Sequence, residues 1–169
     1  MKKKFCLFLA AALIIICVQA IAEREPFDEI GEFRFMLPTN MELSEEDSSE
    51  EVKMYFAADE NSVITMAAAT VFEIPEISES VTSESEWRNF AEIYIDKFIE
   101  GKVLTATATE TVNNGEMLKA ETTMKLEDDV NVQICFARGK NSILILMYAN
   151  ENYIDEALRE WMFSNVSLK

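Results

Sequence analysis

Thirty-one carboxylates and no histidine set the chemistry open to this 169-residue chain. Without an imidazole the commonest general base and the commonest metal ligand are gone, and with them Ser-His-Asp and Cys-His catalysis and ordinary zinc sites. Carboxylate chemistry remains. Glu42, Glu45, Glu46, Asp47, Glu50 and Glu51 gather in residues 42–51 without a counter-charge, and oxygen ligands are what Ca²⁺ takes. The run lacks the D-x-D-x-D-G spacing of a committed calcium loop, so its ordinary reading is a solvated loop. Glu110 and Glu121 flank Asn113-Asn114-Gly115, and a hairpin there would set them face to face. Glycoside hydrolysis needs two acids about 5–9.5 Å apart in a cleft, and nothing in the sequence indicates a cleft. Asp128-Asp129 and Asp59-Glu60-Asn61 read as hairpin turns. No catalytic or cofactor-binding residue is assigned from these patterns, no cofactor is expected, and 42–51 is the segment with metal-binding chemistry.

The softer groups resolve similarly. Cys6 and Cys17 lie in the N-terminal apolar segment, which leaves Cys135 as the thiol of the remaining chain. It sits in a strand pattern and reads as a small packing residue. Met36, Met41, Met54, Met66, Met117, Met124, Met147 and Met162 are scattered, a packing distribution rather than a soft-metal cluster. Thr105, Thr107, Thr109 and Thr111 occupy every second position; such a hydroxyl stripe can meet a ligand, but threonines are also good strand formers on a half-exposed face. There is no phosphate loop, dinucleotide fingerprint or CxxC motif.

Lys2, Lys3 and Lys4 precede an apolar run from Phe5 to Val18, with Ala20 and Ala22 behind it. These are the three parts of a secretory signal peptide. At 1.5 Å per residue the run reaches about 21 Å, short of a hydrocarbon core of about 30 Å. Residues 1–22 are therefore expected to be a cleaved signal peptide, and 23–169 a single domain in the periplasm or outside the cell, with no stable membrane insertion. Cys17 invites lipidation, but Ile16 stands where a lipoprotein peptidase takes Gly, Ala or Ser. Cleavage removes three of the 15 basic residues and none of the 31 acids, leaving 12 against 31 and a net charge of −19. Such a chain repels phosphate backbones and anionic head groups, which excludes nucleic acid.

The elements that would position these groups can be read from periodicity. Ile30–Leu37 alternates as a strand stopped by Pro38, with Phe33 and Phe35 on one face. Val52–Ala58 and Ser62–Ile74 form a hairpin ended by Pro75, and Ile77–Ser83 links it to a helix. Trp87, Phe90, Ala91, Tyr94 and Phe98 recur at helical spacing, predicting that helix over 84–100, capped by Ser83 or Ser85 and closed by Gly101. Val103–Thr111 and Glu116–Glu127 read as a hairpin about the Asn-Gly turn, the second strand placing Leu118, Ala120, Thr122, Met124 and Leu126 against Lys119, Glu121, Thr123 and Lys125. Val130–Phe136 is the next strand, ahead of a turn at Arg138–Asn141. Ser142–Ala149 is apolar throughout and so a central strand covered on both faces. A last helix, Tyr153–Phe163, puts Ile154, Ala157, Leu158, Trp161 and Met162 on one side. The fold class is α+β: a largely antiparallel sheet in a three-layer α/β/α sandwich with two main helices.

This pattern resembles the fold shared by the photosystem II extrinsic protein PsbP, a Ran-binding nuclear import factor and several small exported bacterial proteins. The resemblance is carried by F-R-F-M-L-P at 33–38, V-K-M-Y-F at 52–56, W-R-N-F-A-E-I-Y at 87–94, the meander, and F-S-N-V-S-L at 163–168. It implies a non-enzymatic binding or accessory protein, and the export signal looks bacterial. The expected function is thus a secreted or periplasmic accessory protein whose surface meets a protein or a cell-envelope component. The alternatives are a calcium-dependent structural or adhesion module and a carboxylate- or divalent-metal-dependent hydrolase.

Overall fold

The computed structural model describes residues 27–57, 65–73, 83–98, 103–106, 110–113, 117–126, 130–150 and 156–169. Its elements are β1 (Asp28–Ile30), β2 (Phe33–Phe35), β3 (Met41–Ser44), β4 (Val52–Ala57), β5 (Thr65–Glu73), α1 (Glu84–Phe98), β6 (Val103–Ala106), β7 (Glu110–Asn113), β8 (Leu118–Leu126), β9 (Asn131–Arg138), β10 (Ser142–Asn150), α2 (Glu156–Ser164) and β11 (Ser167–Leu168). The expected signal peptide, with Cys6 and Cys17, lies outside the described residues. So do the turns at 59–61, 114–115 and 128–129, Pro75 with most of the linker at 77–83, Thr107 and Thr109, Gly101, and Tyr153 and Ile154.

A strand with an unbroken apolar interior can rest only between two covering layers. β10 does so: β5 and β9 flank it, both antiparallel, with Ile143 and Ile145 in one core and Leu144, Leu146 and Tyr148 in the other. The main sheet runs β3-β4-β5-β10-β9-β8-β6, with β7 also on β8, every pair antiparallel. α1 covers one face through Trp87, Ala91 and Ile95. The other face is covered by α2, through Met162 and Phe163, together with a three-stranded sheet β1-β2-β11 that contributes Ile30, Phe33 and Phe35. The structure is the expected three-layer α+β sandwich.

Local chemistry fixes α1. Ser83 and Glu86 form a reciprocal cap: Glu86 N donates to Ser83 Oγ at 3.3 Å, and Ser83 N donates to Glu86 Oε2 at 2.9 Å. Inside the helix, Trp87 stacks on Phe90 and donates Nε1–H to the Phe136 carbonyl at 3.3 Å, fastening α1 to β9.

Several elements depart from the sequence pattern. Ile30–Leu37 is a tight hairpin, not one strand. Gly31 adopts φ +53° and Ile30 pairs with Phe33, a left-handed turn that glycine enters without a Cβ penalty. Residues 42–51 are not a loop throughout, because β3 takes Met41–Ser44 as the partner of β4. Val103–Thr111 divides into β6 and β7, whose registers on β8 differ. The polar side of β8 is not open to water: Lys119 and Thr123 are buried, because β8 is an inner strand with covering layers on both sides. In α2 the buried positions are Met162 and Phe163, while Ala157 and Trp161 are exposed. Past the helix the chain turns at Asn165 and Val166 is buried in the same core. The strand β11, invisible to periodicity at two residues, closes the small sheet against β2.

Candidate functional site

The acidic segment is built by its serines. Ser48 Oγ donates to the Ser44 carbonyl and receives Met54 N at 3.1 Å, and Ser49 N donates to the Val52 carbonyl at 2.7 Å. Ser44 Oγ donates to Asp47 at 2.7 Å. With the backbone satisfied inward, all six acids of 42–51 stand exposed along one border of the main sheet. Among the described residues no three carboxylates or thiols come together as a metal-holding group.

Glu110 is the register partner of Glu121 in the β7–β8 pair, as a hairpin about the Asn-Gly turn requires. Cys135 is fully buried in the core beneath α2, and burial pushes its thiol far above the usual range, with the Glu121 charge acting the same way. A thiol so placed packs and does not attack. Of the eight methionines after the apolar leader, Met41, Met117, Met124 and Met162 are buried.

A cleft of about 260 Å³ opens beside the first hairpin, lined by Gly31, Glu32, Val71, Glu73, Asn141 and Ser142. The Glu32 carboxylate lies on the β9–β10 turn, accepting from Asn141 N at 3.1 Å and from the Ser142 hydroxyl. Burial raises its pKa, but the donors at Ser142, Asn141 and Lys140 outweigh that and hold it below 4.5. A carboxylate so engaged is a poor base and a good strut. Gly139 makes room for it: a Cβ there would stand 2.7 Å from the Phe33 ring and closer still to Glu32.

Among the described residues, an incompletely covered apolar surface lies on the α1 face of the main sheet. Cross-strand register lays out its rows. Glu42, Phe56, Met66, Ala149 and Val132 succeed one another from β3 to β9, and Ser44, Met54, Ala68, Met147 and Ile134 form the next row. Burial grades along them. Ile134 and Val132 are 3 % exposed beneath α1, whereas Phe56 is 41 % and Phe72 38 % exposed. α1 packs over β7 and β8 and reaches toward β5 through Tyr94, 6.2 Å from Phe72 between ring centroids. The β4–β5 half of this face is therefore a trough. Its floor is Ala68 and Thr70, half-buried Met54, Met66 and Met147 line it, and Phe56 and Phe72 stand at its ends. Periodicity assigns these residues to strands but cannot show that α1 covers only half of the sheet.

No family model matches the chain, and no curated protein matches it. Solved structures do. The solution structure of cyanobacterial PsbP (CyanoP) from Synechocystis superposes with a TM-score of 0.55 at 10% identity, over 82% of this chain and 87% of that one. A crystal structure from Bacteroides thetaiotaomicron gives 0.52 at 10% identity, over 82% of this chain and 45% of that chain, so this chain spans less than half of it. These likenesses show the PsbP-like three-layer fold. No helix among the described residues is long and apolar enough to cross a membrane.

Proposed function

We propose that the chain is an exported, non-enzymatic accessory protein, with residues 1–22 a signal peptide and 23–169 one domain, that acts by holding a protein or cell-envelope component against a surface. The observation that carries this reading is the trough. Phe56 and Phe72 are both more than a third exposed at the two ends of one sheet face, with half-buried Met54, Met66 and Met147 between them, and an exposed apolar surface of this kind marks an interaction site. The polar groups engaged elsewhere serve the fold: Glu32 braces a turn and Cys135 fills a core. The PsbP-like fold supports an accessory role by analogy.

The test is site-specific photocrosslinking in the producing cell, with a photoreactive residue at Phe56 and, as control, at Trp161 on the opposite side of the sheet. A discrete adduct from position 56 and none from 161 is expected. No adduct at 56, or equal diffuse labelling at both, removes the reading.

A further inference from the structure

The geometry points to a basic amphipathic helix of a partner protein as the occupant of the trough between α1 and β3. The inference rests on the surface reading above and specifies the partner's chemistry. Dimensions come first. Met66 and Phe72 are six residues apart on β5, about 20 Å at strand rise, which is the length of about 13 helical residues. The face between β3 and β10 spans three strand spacings, about 14 Å, and a helix with its side chains is about 10–12 Å across. One helix laid beside α1 fits.

The floor favours a helix over a flat strand. Ala68, 8 % exposed, sits low between Met54 and Met147 in one cross-strand row, giving a recess that can take a ridge of side chains. Methionines are adaptable walls for such a ridge, and helix-in-groove recognition uses anchors at three- and four-residue spacing.

Charge selects the helix. The strands and loop over 41–57 carry Glu42, Glu45, Glu46, Asp47, Glu50 and Glu51 against the single base Lys53, while Glu73 lines the cleft on the α2 side with Val71 and does not border the trough. Lys53 is turned away: it pairs with Ala69, whose side is the α2 core. Glu42 stands in the trough's own row, next to Phe56. The trough thus presents apolar contact bordered by negative charge, which complements a helix with aliphatic or aromatic residues on one face and lysine or arginine along its flank.

The test uses the full chain as purified from its producing cell and two designed helical peptides of about 14 residues. Both share the same leucine and phenylalanine positions; one has lysine and the other glutamate on its polar face. The lysine peptide should bind, about tenfold or more weakly to Phe56→Ser and to the combined Glu42→Gln, Glu45→Gln, Glu46→Gln chain, and less tightly as salt rises. Trp161→Ser should keep the original affinity, with thermal unfolding verifying that each variant is folded. A photoreactive leucine at the centre of the lysine peptide should label Met54, Phe56 or Met66 of the unmutated chain, a readout that needs no variant to fold. Equal binding of the glutamate peptide, failure of the lysine peptide to bind, or labelling elsewhere overturns the inference. A chain that is dimeric in solution and becomes monomeric on Phe56→Ser also overturns it, assigning the trough to a second copy. If the peptide fails while position 56 still gives its discrete adduct in cells, the partner chemistry falls and the surface reading stands; if the adduct is also absent, both fall.

Discussion

The Lys119 ammonium, buried within the sandwich, donates to the Phe163 carbonyl oxygen at 2.7 Å. This bond pins the last turn of α2 to the inner strand β8. A cation at a helix C-terminus meets the negative end of the helix dipole, and a charged donor to a carbonyl is stronger than a neutral one. Val166 N reaches the same oxygen at 3.4 Å, a weaker second donor.

Lys119→Met keeps the aliphatic stem and removes the charged donor. The substitution should destabilise the chain by about 1–2 kcal/mol, seen as a lower midpoint in urea unfolding with an unchanged slope. An unchanged midpoint would show that the pin contributes nothing.

Gly139→Ala introduces a Cβ 2.7 Å from the Phe33 ring, which lies in the core and cannot retreat freely. The expected loss is about 1–3 kcal/mol, the range for overpacking. Gly31→Ala should cost about 1 kcal/mol for its left-handed φ, since its Cβ would meet the Val71 side chain, nearest at Cγ1, 3.2 Å away. The reverse order in thermal unfolding would mean that backbone strain, not crowding, dominates at this hairpin.

Acid should act through the same hairpin. Glu29 is held below 4.5 by Lys169 and Arg34, and Glu32 by its donors at Ser142, Asn141 and Lys140 against the opposing effect of burial. A carboxyl depressed in the folded chain stabilises it fully above pH 4.5 and loses that contribution as the pH falls through the folded-state value. Glu32→Gln should therefore melt below the parent at pH 7, and the gap should close as the pH falls below 4.5 and through the folded-state value. A gap independent of pH would show that the Glu32 side chain matters for shape and not for charge.

Cys135 should resist alkylation. Its side chain is fully buried and burial raises its pKa, so peptide mapping after iodoacetamide at pH 8 should find Cys135 unmodified in the native chain and modified in urea. Rapid native labelling would place the thiol near a route from solvent.

Calcium at millimolar concentration should leave the melting temperature where EDTA leaves it. The six acids of 42–51 point outward on a serine-pinned frame and do not converge. A rise of several degrees would indicate native-state binding and return weight to the calcium-dependent alternative.

The layers were legible where burial is two-sided or strictly alternating. Ser142–Ala149 read as central because no polar residue interrupts it, and Trp87, Ala91 and Tyr94 read as one helix face because their spacing leaves no other geometry. The burial of Lys119 and Thr123 was not legible, since a polar residue on alternate positions carries no sign of the second layer that covers it. The pairing of Glu110 with Glu121 could be anticipated, because a hairpin's register is local. The trough could not. It depends on where α1 lands across the sheet, a tertiary fact that Phe56 and Phe72 do not encode in their own strands.

The small sheet joins distant stretches of chain: Arg34 pairs with Ser167, Phe33 with Leu168, and Lys169 N donates to the Glu32 carbonyl at 2.9 Å. Any machine that delivers the polypeptide in order from its amino end, a ribosome or a secretion channel, therefore delivers residues 28–35 long before their last strand partner. The layer containing Phe33 and Phe35 stays unsealed until residue 168 emerges. Its order of assembly keeps the chain threadable during delivery and makes the final fastening a late event.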